Sequence, residues 1–248
     1  MSIPEVFVVR DRILLQDAVA ARLITHLVDR IAAAGGARLL LSDHVLVREV
    51  LAAVGRGPAR DAVDWSAVEV WSANLSYRVA PADRANPHFA LAELGIAPTA
   101  IHRIPPVTET LDPEQAAAQY AETLSAAKAQ DDHGLVPTFD VALLAVGSGG
   151  SVAGLHPEAP TAYAEQAVAV DRATSEITLT GPALSTARDV WLLAAGSEPA
   201  AGVHLAVSAA GPVQVPAAGV RGIARTLVLV DAAAAARLPL SLRRIASP

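Results

Sequence analysis

The fold of this chain is decided by residues 139–160, FDVALLAVGSGGSVAGLHPEAP. The apolar run 139–146 is typical of a strand buried on both faces. Gly147, Gly149 and Gly150 then let the backbone turn sharply and approach a ligand closely, and we expect a short helix to begin after them. Ligands of open α/β sheets bind at the carboxyl ends of the strands, so this turn predicts the position of the functional site.

Composition narrows the class of protein. The chain has 248 residues, of which 52% are hydrophobic and 18% charged, enough for a sizeable core. It has no cysteine, which excludes disulfides and thiolate metal sites, and none of its seven histidines has metal-ligand spacing. The formal net charge of -6 argues against nucleic-acid binding. No apolar run could span a membrane and no signal peptide is recognisable, so we expect a cytoplasmic protein. We also expect a protein without a metal or other cofactor.

Short apolar strands alternate with amphipathic helices along the chain, which predicts an α/β sandwich with a mostly parallel, Rossmann-like sheet, formed by one domain over residues 1–248. Asp11 and Asp112 are expected to cap helices, and Asp231 to cap an alanine-rich final helix. Residues 73–87 are predicted to be a loop. The predicted strands cover residues 5–9, 37–41, 68–72, 101–104, 139–146, 167–170, 176–180, 189–194 and 227–230; the other predicted helices cover 12–34, 45–54, 87–94, 113–130 and 197–209.

A series of motifs lies along the chain in a fixed order and spacing. They are GARLLLS at 36–42, DWSAVEVW at 64–71, Asn86, IHRI at 101–104, the Ala-Ala…Tyr spacing at 116–120, FDVALL with its glycine at 139–147, GL-P at 154–157, ITLT at 177–180, DVWLLAAG at 189–196, VPAAG at 215–219 and LVLVD at 227–231. Through these motifs the chain resembles the 6-phosphogluconolactonases, which share a fold with glucosamine-6-phosphate isomerases. The resemblance implies a three-layer sandwich of that type. It also implies the family reaction, metal-free hydrolysis of 6-phosphogluconolactone to 6-phosphogluconate in the pentose phosphate pathway of carbohydrate metabolism.

The resemblance also assigns positions in a cleft, but most of the polar residues of the family are replaced there. Gly149 and Ser151 stand where the family has an acidic residue and the catalytic histidine. Glu176 stands where it has an arginine, Pro199 where it has a lysine, and Asp43 within a glycine loop. Arg78 replaces another family arginine only if residues were inserted. The substrate-binding positions implied in this way are Ser42, Asp43, His44, Arg78, Asn86, Gly147, Ser148, Gly150, Glu176 and Pro199.

These replacements predict a hydrolase relative with weak or no lactonase activity, a pseudoenzyme that binds a small sugar or lactone or a protein partner. An opposite-charge pair ~4 Å apart is worth roughly 4 kcal/mol at an effective dielectric of ~20, and a carboxylate in place of a cation reverses its sign. Loss of a positioned general base typically costs another ~10²–10⁴-fold in rate.

An alternative is an active lactone or ester hydrolase with a rearranged site that uses His44 or Ser151. Ser151 lies in a pattern close to G-x-S-x-G but lacks the trailing glycine, and capping of the next helix is the simpler interpretation. His44 follows the second strand, beside the expected site. His26 is predicted to be solvated on the polar face of the first helix, whereas the three tryptophans are predicted to pack in the core.

Overall fold

The computed structural model describes residues 2–78, 91, 93–108, 110–208, 210–242 and 244–245. Asn86 and most of the helix predicted at 87–94 lie outside these residues. Eight strands in the described part of the chain form one sheet in which all pairings are parallel. The strands are β1 (Pro4–Val9), β2 (Ala37–Leu41), β3 (Val68–Ser72), β4 (Asn74–Ser76), β5 (Ile101–His102), β6 (Val141–Ala145), β7 (Val168–Asp171), β8 (Glu176–Leu179), β9 (Asp189–Ala194), β10 (Arg225–Asp231) and β11 (Arg244–Ile245).

The order of the parallel sheet is β11-β1-β10-β9-β6-β2-β3-β5, and β4, β8 and β7 form a separate antiparallel sheet. The helices are α1 (Arg12–Ala34), α2 (Val45–Arg56), α3 (Pro113–Ala126), α4 (Gly181–Leu184), α5 (Ala200–Ala206) and α6 (Pro216–Gly219). Short 3₁₀ turns cover Pro58–Ala62, Trp65–Ala67, Pro98–Ala100, Ser148–Gly150, Pro160–Tyr163, Ala234–Arg237 and Leu240–Leu242.

Each face of the parallel sheet is covered by its own hydrophobic cluster. Because side chains alternate across a strand, Val141 and Leu143 of β6 pack with α1 and α2, whereas Ala142 and Leu144 pack on the opposite face, with α3 and the small sheet. The three-layer α/β fold predicted from the sequence is therefore confirmed. Trp71 and Trp191, at 0% and 1% exposure, are core residues as predicted.

The predicted helix caps explain where the long helices begin and end. Asp11 accepts a hydrogen bond from the Leu14 amide, and Gly35, with φ of 77°, ends α1 in the left-handed conformation that glycine favours. Asp112 forms a capping box with Gln115 at the start of α3. Within the described residues, no helix combines the length and apolarity needed to cross a bilayer.

Several predicted elements differ from the structure. The loop predicted at 73–87 contains β4, which forms because Asn74–Ser76 pairs with β8. Helix α3 ends at Ala126, four residues early, because the Asp132 carboxylate accepts the amides of Ala129 and Thr138 and holds these residues in a loop.

The final alanine-rich helix is reduced to the 3₁₀ turn Ala234–Arg237. Asp231 accepts the amide of Ala234 as predicted, but it also accepts the amide of Gly196 and so ties the end of β10 to the loop after β9. The helix predicted at 197–209 is limited to α5, Ala200–Ala206.

Candidate functional site

The carboxyl edge of the parallel sheet brings together segments that are far apart in the sequence. The turn Ser42–His44 follows β2, Asn74 follows β3, the glycine turn 147–150 follows β6, and Pro199 follows β9. Strand order places β9, β6, β2 and β3 side by side, so these four segments are neighbours. The implied cleft positions that belong to these four segments thus share one edge, as expected for ligands of an open α/β sheet.

A chain of hydrogen bonds crosses this edge. The backbone amide of Asp43 donates to Oδ1 of Asn74 at 2.9 Å, and Nδ2 of Asn74 donates to Oε2 of Glu176 at 3.1 Å. Asn74 is buried, at 7% exposure. Sequence reasoning did not identify Asn74 as a site residue, because its role depends on the pairing of β4 with β8. Its position directly beyond β3 was the one available signal.

Glu176 is half-buried, and burial raises the pKa of its carboxyl to about 7. The hydrogen bond from Asn74 opposes this shift, while the negative charges of Asp43 and Asp171 add to it. Desolvation and neighbouring negative charges both disfavour the ionised form of this carboxyl. The ionised form would repel a phosphate group, whereas a phosphate site needs cations or N–H donors. At neutral pH Glu176 is therefore a mixture of a neutral hydrogen-bonding acid and an anion.

The glycine turn is held by its backbone. Gly149 and Gly150 have φ of 71° and 82°, where side chains are disfavoured. The amide of Gly147 donates to the Ser151 carbonyl at 3.0 Å, and a Cβ on Gly202 of α5 would overlap the Gly147 carbonyl oxygen. Ser148 and Gly149 are exposed at the tip of the turn.

No helix begins at Ser151, so the prediction that it caps one is wrong. The following residues instead form a tight reversal in which Val152 and Leu155 exchange backbone hydrogen bonds. The strand-turn-helix geometry of a nucleophile elbow is absent at this serine.

His44 is the N-cap residue of α2. Its Nδ1 accepts the amide of Leu46 at 3.1 Å, so the neutral imidazole carries its proton on Nε2. The side chain stays solvent-exposed, yet the protein atoms around it, and secondarily Arg12, lower the pKa of the imidazole; Glu49 and Glu198 oppose that shift. The outward nitrogen of the neutral ring is therefore a hydrogen-bond donor, and this geometry does not favour His44 as a general base.

The remaining cleft positions supply no cation that is directed into the site by a described contact. Ser42 is buried and its Oγ accepts the Ala145 amide, which extends the contact between β2 and β6. Pro199 is buried at the start of α5, and Arg78 is exposed. Asn86 lies outside the described residues.

Arg12 influences His44 electrostatically but is paired with Glu49, 2.7 Å away. Gln16 donates to the same carboxylate. The only lysine of the sequence, Lys128, follows α3. The carbonyl of its neighbour Ala127 accepts a hydrogen bond from Arg38 near the start of β2, which places Lys128 at the opposite, amino edge of the sheet. Lys128 is therefore not placed to replace the lysine that the resemblance assigns to the position of Pro199. In the described part of the chain no cluster of acidic or histidine side chains could hold a metal ion.

A cavity of about 600 Å³ lies at the opposite, amino edge of the sheet. Arg30, Arg38 and Arg188 line it, but Asp140 pairs with Arg30 and Glu69 with Arg38. We interpret this network as structural, because it surrounds the nearly buried Asp140 carboxylate, which also accepts the Arg38 amide.

The prediction that His26 is simply solvated is wrong. Its ring is half-buried and meets Trp191 edge to face, with centroids 5.7 Å apart. Its Nδ1 lies 3.8 Å from the Asp189 carboxylate. The contact belongs to the packing of α1 on β9, far from the glycine turn along the strand direction.

Fold and site together define an α/β protein in which a glycine turn and a network of polar side chains lie at the carboxyl edge of a parallel sheet, where open α/β sheets bind ligands. A family model described as glucosamine-6-phosphate isomerases/6-phosphogluconolactonase matches residues 10–229. The chain belongs to this family, and the resemblance inferred from its sequence is confirmed.

Relatives and solved structures agree with this membership. The chain is 40% identical to a 6-phosphogluconolactonase of Streptomyces coelicolor over 96% of both chains. It is 42% identical to one of Mycobacterium tuberculosis over 52% of this chain and 53% of the relative. The structure of the Trypanosoma brucei 6-phosphogluconolactonase superposes with a TM-score of 0.77 at 19% identity, covering 95% of this chain and 99% of that one. The Thermotoga maritima enzyme gives 0.74 at 19% identity, with 92% and 99% covered.

Proposed function

We propose that this chain is a 6-phosphogluconolactonase-family protein with weak or no lactonase activity, whose cleft binds a small, uncharged sugar or lactone in the cytoplasm. The observation that carries the proposal is the environment of the Glu176 carboxyl. Where the resemblance implies an arginine for the phosphate, this chain has a half-buried carboxyl bound to Asn74.

Electrostatics supports weak affinity for a sugar phosphate. Replacing a cation by a carboxylate turns roughly 4 kcal/mol of attraction into repulsion at ~4 Å and an effective dielectric of ~20. Asp43 adds negative charge near Glu176, and protonation of Glu176 removes only part of the repulsion. A neutral sugar, in contrast, can donate hydrogen bonds to the carboxyl oxygens of Asp43 and Glu176 and accept one from the Nε2–H of His44.

The arrangement of possible bases supports slow chemistry. By the resemblance, Ser151 stands where the family has its catalytic histidine, and Nε2 of the neutral His44 ring carries a proton. Without a positioned base, the rate falls by about 10²–10⁴-fold. The 40% identical relative of Streptomyces coelicolor supports the opposite expectation, the full family reaction, so the activity itself is the decisive measurement.

A coupled assay that detects 6-phosphogluconate tests the proposal. We expect no turnover above the spontaneous hydrolysis of the lactone, and partial recovery in Ser151→His. The matched control is Ser148→His, which adds an imidazole to the exposed tip of the same turn. Wild-type turnover above about 1 s⁻¹, within the usual enzyme range, would contradict the proposal. Thermal-shift measurements should show a higher Tm with a neutral gluconolactone than with 6-phosphogluconate, because a ligand that binds only the folded state stabilises it.

A further inference from the structure

The Asp43–Asn74–Glu176 chain joins the two sheets of the molecule. Asp43 belongs to the turn after β2 of the parallel sheet, whereas Glu176 begins β8 of the antiparallel sheet. Asn74 stands between them, with its amide oxygen held by one partner and its amide nitrogen by the other. These two partners fix the orientation of the amide, since an amide oxygen can only accept a hydrogen bond and an amide nitrogen can only donate one.

Space around the Glu176 carboxyl is tight. A Cβ on Gly154 would lie 3.0 Å from Oε2 of Glu176, and 3.3 Å from Cβ of both Asn74 and Thr178. Gly154 therefore packs closely against the Glu176 carboxyl. In the described part of the chain, the polar and charged groups that act on it are Asn74 and Ser76 of β4, Asp43 of the turn after β2, and Asp171 of β7.

We propose that the proton on Glu176 sets the charge of the carboxyl-edge cleft and, through Asn74, the position of the Asp43 turn. Protonated, Glu176 adds no negative charge beside Asp43 and Asp171, and its hydrogen bond to Asn74 keeps the two sheets joined. Ionised, Glu176 binds the Asn74 N–H more strongly but adds a second negative charge that repels Asp43. The cleft then rejects anionic ligands more strongly as the pH rises. The rejection of anionic ligands rests on the proposed binding function. The effect of the Glu176 proton on Asn74 and the Asp43 turn does not.

Nuclear magnetic resonance can observe this change directly, because the sequence contains only two asparagines, Asn74 and Asn86. Selective ¹⁵N-asparagine labelling gives two side-chain amide signals, and Asn86→Gln removes one of them. We expect the Asn74 side-chain amide to shift with a midpoint near pH 7, where Glu176 titrates. Selective ¹⁵N-aspartate labelling should show the Asp43 backbone amide moving with the same midpoint.

In Glu176→Gln both titrations should disappear, and in the control Glu165→Gln, at an exposed position, they should persist. An Asn74 amide that does not shift between about pH 5.5 and 8.5 overturns the proposal, and the wild-type protein alone is enough to show it. An Asp43 amide that stays still while Asn74 titrates overturns it as well. Because no substrate is used, these outcomes are independent of the lactonase assay.

Discussion

Replacing Glu176 with glutamine should change how the free energy of unfolding depends on pH. Glutamine has nearly the same shape, and its side-chain oxygen can still accept the Asn74 N–H, but it cannot ionise. In the wild-type protein, burial raises the pKa of Glu176 from 4.5 to about 7. The folded protein therefore holds this proton more tightly than the unfolded chain, and the resulting stability is present below about pH 4.5 and is lost as the pH rises through about 7.

The magnitude follows from the size of the shift. At about 1.4 kcal/mol for each pH unit, a rise from 4.5 to about 7 corresponds to a loss of roughly 3 kcal/mol at alkaline pH. Most of this loss, about 2–3 kcal/mol, falls between pH 5 and pH 8. The pKa values of His44 and His102 are lowered chiefly because surrounding protein atoms exclude water from the rings; both residues contribute to the pH dependence of both proteins, so their effects cancel in the difference.

Urea unfolding at pH 5, 6, 7 and 8 measures the effect. Relative to wild type, Glu176→Gln should gain about 2–3 kcal/mol over this range, whereas the exposed control Glu165→Gln should run parallel to wild type. If the stabilities of wild type and Glu176→Gln change equally with pH, Glu176 titrates at the same pH in the folded and unfolded states. The reasoning from its burial and its neighbours would then be refuted.

Two further substitutions test the scaffold of the site. Tyr120→Phe removes a buried hydroxyl that donates to the last carbonyl of β3 at 2.7 Å, and it should lower the free energy of unfolding by about 1–2 kcal/mol. The exposed control Tyr163→Phe should leave the free energy of unfolding unchanged, and equal effects of the two substitutions would contradict the role of this hydrogen bond. Gly202→Ala places a methyl group against the Gly147 carbonyl oxygen and should lower the free energy of unfolding by about 1–3 kcal/mol. The control Gly181→Ala, with open space around it, should change stability little. Melting temperatures that fall by the same amount in both variants would argue against the close approach of α5 to the glycine turn.

Local patterns in the sequence were sufficient for much of the architecture. The apolar runs that became β2, β3 and β9 were predicted with the observed bounds. The caps at Asp11 and Asp112 were also predicted correctly, because the atoms that satisfy a helix end lie within three residues of it. The order and spacing of such segments along the chain were specific enough to indicate the family.

The chemistry of the site depends on contacts that no local pattern contains. Asn74 and Glu176 are 102 residues apart, and they meet because β4 pairs with β8 beside the carboxyl edge. Likewise, the tautomer of His44 and the burial of His26 follow from the way α2 begins and α1 packs on β9. The sequence by itself determined which residues the site would have available. Only the tertiary structure decided their charge and hydrogen bonds, because desolvation and partner distances are set by layers that come together from distant parts of the chain.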